Sequence, residues 1–458
     1  MGLRRWASME QNLWLQPACP ARFTPLQMCH ATEEFESPGS TLENKGKGMG
    51  NTQNAGSSQV TCPTARLAEL LLADDARAVA AAQSISESVS WPAVLATATV
   101  CKVIPQLSAR LQKLRFKLSA EDTWTLRRQF LKAHSNSALR AAKTVSAILE
   151  LEQAGIRVAA FKGVAAMAVL YCGPKHRTVG DGDLLIQRMD LANALACLEA
   201  KGLARRGADT LDQYLRFVEN APRFAGNQAI AVYGDDGSEI DLHWQLAGSG
   251  LRIEEVLGRS VRAELLGSAI PVIDAKDGFL LTVHHAIRED FGIESMCRDL
   301  LDVRLCCEHL DESGQLEEGM SRAAQWGSHV AALAVTGLLR GYDGKGAASR
   351  AAELLSGAAT KAERRSASRL TALFHYQLKN GRLGKDVMFL VHLRPWRQIL
   401  KGFGGDWSGY RRSMEAMEQQ LGEHQPLRKR VSHFARSIPG FEALRMAREL
   451  ALVKYRNW

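Results

Sequence analysis

The chain has 458 residues, a formal net charge of +9 and 46% hydrophobic residues, which leaves room for two or three domains with real cores. No apolar run is long enough to cross a bilayer, and no long apolar stretch follows the start, so a membrane-spanning or secreted protein is not expected and a cytoplasmic one is. Nine cysteines at irregular spacing, none in Cys-x-x-Cys, suggest neither a zinc site nor a disulfide framework.

Residues 1–60 are polar and rich in Pro, Gly, Ser and Asn, a composition that argues against a packed core and for disorder. Residues 61–154 read as a helical region. Trp91-Pro92 opens one helix with Ser90 as its cap. Residues 121–154 form one long helix or two, with Leu126, Phe130, Leu139, Val145, Leu149 and Leu151 near helical spacing and Gly155 as the stop.

The stretch 155–274 reads as the core domain. Ile156–Phe161 is a short β-rich run, and Lys162-Gly163 is a turn that leads into a helix over 164–172. Asp181-Gly-Asp183-Leu-Leu-Ile186 places two carboxylates at the head of an apolar strand. Arg188–Lys201 is a helix closed by Gly202. Residues 228–233 and 238–246 form a hairpin around Gly234-Asp-Asp-Gly237, and the second arm carries Glu239-Ile-Asp241-Leu-His243-Trp244. Strand side chains alternate, so Asp181 and Asp183 share a face opposite Leu184 and Ile186. In the same way Asp241, His243 and Gln245 oppose Ile240, Leu242, Trp244 and Leu246. If the two strands are neighbours, about 4.8 Å apart, three carboxylates meet in one patch, which is what a pair of divalent cations needs. The competing reading is a solvated turn, since Gly180-Asp-Gly-Asp183 is also good turn chemistry.

Helices return over 275–375, with candidates at Asp277–Arg288, Ser295–Leu310 and Ser321–Leu339. Adjacent His284 and His285 do not face one another on a helix, so a core or capping role is preferred to metal binding. Asp299 and Asp302 have Arg298 and Arg304 at hand for local ion pairs, and Cys306-Cys307 reads as packing. Charge is uneven: residues 361–458 hold 20 Lys+Arg against 8 Asp+Glu, while the rest of the chain is net −3. The basic C-terminal region, 376–458, reads as helical. It is compatible with RNA, but equally with a solvated face or an anionic partner, and nucleic acid is not the favoured reading.

The order Lys162-Gly163, Tyr171, Arg177, Asp181-x-Asp183, a helix ending at Gly202 and then Ile240-Asp-Leu-His-Trp244 resembles the uncharacterised bacterial nucleotidyltransferase family, itself similar to the DNA polymerase beta-like nucleotidyltransferase superfamily. The resemblance implies an α+β fold: a small mixed sheet of the nucleotidyltransferase type flanked by helices, with an N-terminal helical region and a C-terminal helical domain. It also implies a Mg²⁺-dependent transfer of NMP from a nucleoside triphosphate to a hydroxyl on an unidentified small-molecule, peptide or protein acceptor. Asp181, Asp183 and Asp241 match the catalytic carboxylates that hold two Mg²⁺ ions. Lys162, Gly163 and Arg177 match the nucleotide-binding positions. His243 either touches substrate phosphate or a metal-bound water, or orients Asp241. Two other readings stand beside this one: an RNA-directed enzyme that uses the basic region, and a scaffold that binds nucleotide without turnover. The chain departs from the family at Gly182, where an apolar or β-branched residue is general. Glycine there weakens a strand, and it signals either close approach of a ligand or drift.

Overall fold

The computed structural model describes residues 62–380, apart from 206–209, 213–214, 216–228, 247–250 and 289–292. The proposed disordered segment over 1–60 and most of the basic C-terminal region lie outside the described residues. Four helices open the described chain: α1 (Pro63–Leu72), α2 (Asp75–Ser88), α3 (Trp91–Val100) and α4 (Ile104–Lys113). Ser90 caps α3 as its sequence suggests, accepting from the Ala93 N–H. Helix α5 (Ala120–Gln153) is a single helix of 34 residues. Ser119 caps its start, and Gly155 at φ +76 ends it, with the Ile156 N–H returning to the Leu151 carbonyl.

Seven strands follow: β1 (Val158–Ala160), β2 (Gly182–Ile186), β3 (Leu203–Arg205), β4 (Ala229–Gly234), β5 (Glu239–His243), β6 (Val261–Leu265) and β7 (Ser268–Val272). Between them lie the short α6 (Lys162–Val169), α7 (Leu191–Glu199) and α8 (Ile253–Gly258). The sheet order is β3-β4-β5-β2-β1-β7-β6. β2 runs parallel to β5 and antiparallel to β1, so the sheet is mixed. The expected hairpin is β4–β5, closed by Gly237 at φ +76. A second hairpin, β6–β7, was not anticipated. Its turn is Leu266-Gly267, and both residues have positive φ, as a two-residue loop of the mirror-image type demands. The dipeptide between two short apolar runs was its only signal.

The C-terminal helices are α9 (Ala275–Arg288), α10 (Ile293–Glu312), α11 (Leu316–Gln325), α12 (His329–Asp343), α13 (Ala347–Ala358) and α14 (Lys361–Asn380). The single helix expected over 321–339 is therefore two. Gly327 takes φ +69 after Trp326, and the Ser328 N–H bonds back to Ala323, a glycine stop inside an apolar run. The 188–201 helix is also shorter than expected: its first turn is a 3₁₀ turn, Arg188–Asp190, and α7 ends at Glu199.

The sheet separates two buried clusters. Leu184 and Ile186 of β2 and Ile240 and Leu242 of β5 pack with Val145 and Ile148 of α5 and with Leu191 and Leu198 of α7. Leu185, Phe161 and Ala159, whose side chains leave the other face, join the helical core. That core is shared: Leu67 and Leu107 from the first helices lie in the same cluster as Leu300, Leu338 and Phe374 from the last. Trp244 packs on the α5 side as expected, but Leu246 belongs to the helical core, because regular strand geometry ends at His243.

Candidate active site

Strand register builds the site. Asp183 of β2 and Asp241 of β5 are directly opposed across the parallel pair, and His243 is opposed to Leu185 one pleat further on. One ligand atom from each of Asp183, Asp241 and His243 falls within 4.8 Å of the others. Asp181 precedes β2 in a bend rather than standing on the strand, so the tight group has His243 where the sequence suggested a third carboxylate. The Asp183 charge is nonetheless felt at Asp181, and the Asp181 charge at Asp241. His243 Nε2 lies 2.9 Å from Asp183 Oδ1, so it pairs with Asp183.

Lys162, the first residue of α6 just beyond β1, completes this arrangement. Its Nζ donates to Asp183 Oδ1 at 2.5 Å and lies 5.1 Å from the centre of the Phe161 ring. Lys162 has φ +52, an uncommon conformation for a residue with a side chain and one that collects at functional sites. Phe161, 2% exposed, meets His243 edge-on at 4.8 Å and sets its ring plane. Gly163 follows at the first turn of α6. A Cβ there would meet only Val179, at 3.4 Å, an ordinary contact.

The electrostatics divide the carboxylates. Burial pushes Asp183 up, but the Lys162 ammonium and the His243 hydrogen bond outweigh it and hold Asp183 well below the usual carboxylate range. Burial raises Asp181, and the Asp183 charge adds to it against the pull of Lys162 and Lys102. Asp241 is pushed up to about 7 by burial first and then by Asp183 and Asp181. A cluster that keeps one carboxyl ionised while destabilising the charge of its neighbours is short of positive charge. A divalent cation removes that deficit, and the carboxylate oxygens are donors that such an ion accepts.

Gly182 has its explanation on the opposite face. A Cβ there would lie 2.3 Å from Thr144 Oγ1 and 2.9 Å from Thr144 Cγ2. The glycine lets α5 approach the sheet behind the carboxylates.

Arg177 does not reach the carboxylate group. It is 4% exposed and forms a two-pronged pair with Asp302 of α10, Nε to Oδ1 at 3.0 Å and Nη2 to Oδ2 at 2.6 Å. Tyr171 donates to the same Asp302 Oδ1 at 2.7 Å, and Arg177 Nη1 also donates to the Thr178 carbonyl. The local pairing expected for Asp302 is thus replaced by contacts across 125 and 131 residues of chain. Asp299 keeps Arg298, at 3.1 Å, and adds His285 at 2.9 Å. His284 bonds instead to Ser328 Oγ, so the two histidines serve separate partners. One signal for this network was available: Asp299 and Asp302 fall among Met296, Cys297, Leu300, Val303 and Cys306 on the buried face of α10, where a carboxylate needs a partner.

A mixed sheet carrying opposed aspartates on neighbouring parallel strands, with helices on both faces, is consistent with the nucleotidyltransferase fold. Residues 87–342, more than half of the chain, match the family model described as "Uncharacterised nucleotidyltransferase". The chain belongs to that family, and nucleotidyl transfer is its activity class. No curated protein matches it significantly.

Proposed function

We propose that the protein transfers an NMP group from a nucleoside triphosphate to a hydroxyl on a small-molecule, peptide or protein acceptor, with Mg²⁺ as its metal. The observation that carries this reading is the opposed register of Asp183 and Asp241 with His243 beside them. Asp183 and Asp241 would hold one cation, with His243 beside them, and Asp181, in the adjoining bend, would help to hold a second. Such ions supply Lewis acidity: they lower the pKa of an acceptor hydroxyl and neutralise the leaving pyrophosphate.

The chain's own groups do the rest. Lys162 holds Asp183 ionised and in place, and it offers its charge to phosphate once a cation takes over that carboxylate. His243, braced by Phe161, fixes the other side of Asp183. Asp241, opposed to Asp183 in the strand register, is the carboxylate placed to take up the acceptor proton.

The test is incubation of the full chain with each labelled triphosphate, Mg²⁺ and cell extract, followed by identification of the labelled product. Asp183→Ala and Asp181→Ala are expected to abolish labelling while the proteins stay folded by circular dichroism. Labelling that persists in both variants sinks the proposal.

A further inference from the structure

Three cations are candidates for a substrate phosphate, and two are already paired. Lys162 is bound to Asp183, and Arg177 to Asp302. The third, Lys102, comes from outside the sheet, at the junction of α3 and α4. Its neighbours Cys101 and Val103 are both fully buried, and the Val103 N–H is tied to the Ala98 carbonyl at 2.9 Å. Lys102 itself is exposed and has φ +55, at a helix end where glycine is the usual occupant. A junction anchored on both sides therefore holds a lysine in a conformation that few lysines adopt.

The lysine is aimed at the site. A Cβ built on Gly180 would lie 3.2 Å from Lys102 Nζ, so the ammonium rests against the backbone of the residue just before Asp181. Gly180 leaves the space that the ammonium uses. The Lys102 charge is among those that act on the Asp181 carboxyl. Among the described residues no carboxylate lies within ion-pair distance of it. An ammonium held beside a metal-type carboxylate cluster, and in no ion pair among the described residues, is suited to a phosphate group.

We infer that Lys102 binds a substrate phosphate beside Asp181, so that the N-terminal helices complete the transfer site from outside the sheet. This rests on the transfer reading above. The phosphate is either that of the nucleotide or one carried by the acceptor.

Isothermal titration of the full chain with inorganic tripolyphosphate and with Mg²⁺ complexes of ATP, GTP, CTP and UTP tests it, comparing wild type, Lys102→Gln and Lys102→Arg. Loss of a charge-assisted contact is expected to weaken Lys102→Gln by about tenfold or more. Lys102→Arg should retain most of the affinity, and tripolyphosphate should weaken in step with the nucleotide if the triphosphate is the ligand. Unchanged nucleotide affinity with a raised KM for the labelled acceptor assigns the phosphate to the acceptor. If Lys102→Gln alters neither nucleotide affinity nor labelling, the inference is overturned and the transfer reading stands. If the wild-type protein binds no triphosphate and labels nothing, the transfer reading falls and the inference falls with it.

Discussion

Asp183 and Asp241 are the same residue type at the same height on adjacent strands, yet their surroundings drive them apart. Asp183 has an ammonium and an imidazole at its oxygens, while Asp241 has burial and two like charges. With Asp241 at about 7, the metal-free protein carries a proton there below neutrality. A divalent ion must displace that proton, so the metal's apparent affinity should fall as pH drops below 7, by up to about tenfold per pH unit from this group alone. The sign follows directly: protonation is favoured in the metal-free state and opposed in the bound one. Mn²⁺ titrations on either side of neutrality check it. Asp241→Asn should bind Mn²⁺ weakly at every pH and lose the share of the pH dependence that Asp241 carries, and an affinity independent of pH in the wild type would count against Asp241 as a ligand. Both aspartates were legible in the sequence, because strand alternation settles which face a residue takes. The choice of His243's partner was not, since alternation leaves open which neighbour a long side chain reaches. The bend that removes Asp181 from the strand was hidden for a related reason: glycines flank it on both sides, and glycine favours no single backbone region.

Helix α5 and strand β2 meet at Thr144 and Gly182, and this contact places the carboxylate strand. Gly182→Ala forces a methyl group into the Thr144 side chain, which is part of a well-packed face. Overpacking of that kind costs about 1–3 kcal/mol. Thr144→Ala removes both of the closest atoms and leaves only the Cβ, at 3.2 Å, so the double variant should recover part of the loss. Urea unfolding of the four proteins in the cycle measures the coupling. Additive losses would mean that the clash is relieved elsewhere. Gly182 shows where element-level reading stops. The period-2 pattern announced β2, and the long apolar repeat announced α5. Which residue of one touches which residue of the other depends on a crossing that neither pattern encodes. The β4–β5 hairpin was legible for the opposite reason, since its partners are adjacent in sequence and the turn residues carry their own signal. The split between α11 and α12 was missed because Gly327 sits between two apolar helical patterns that continue one another.

The first and last helices of the described chain share one core on the far side of the sheet, and the site loop is fastened to that core. Arg304 of α10 donates to the Leu72 carbonyl at 2.9 Å, and Arg77 of α2 donates to the Gly341 carbonyl at 2.7 Å. Between these ties, Asp302 holds Tyr171 and Arg177 at the two ends of the segment that leads to Asp181. Periodicity identified the apolar face of each helix but not what covers it, which is why the N-terminal and C-terminal helices read as separate regions. Burial raises the cost of the Arg177 charge, and Asp302 more than answers it, holding the guanidinium firmly protonated. Removing Asp302 leaves a buried cation without a partner, so Asp302→Ala should lose about 3–5 kcal/mol of stability in denaturant unfolding. Arg177→Met paired with Asp302→Leu removes both charges and should be less damaging than Asp302→Ala alone. A triphosphate-binding arginine predicts something else: near-normal stability on substitution and a raised KM for nucleotide. If Arg177→Met unfolds at the wild-type denaturant concentration while its nucleotide affinity collapses, the guanidinium serves the substrate rather than the loop. The pairing at 2.6 Å with Asp302, deep in the protein, favours the loop.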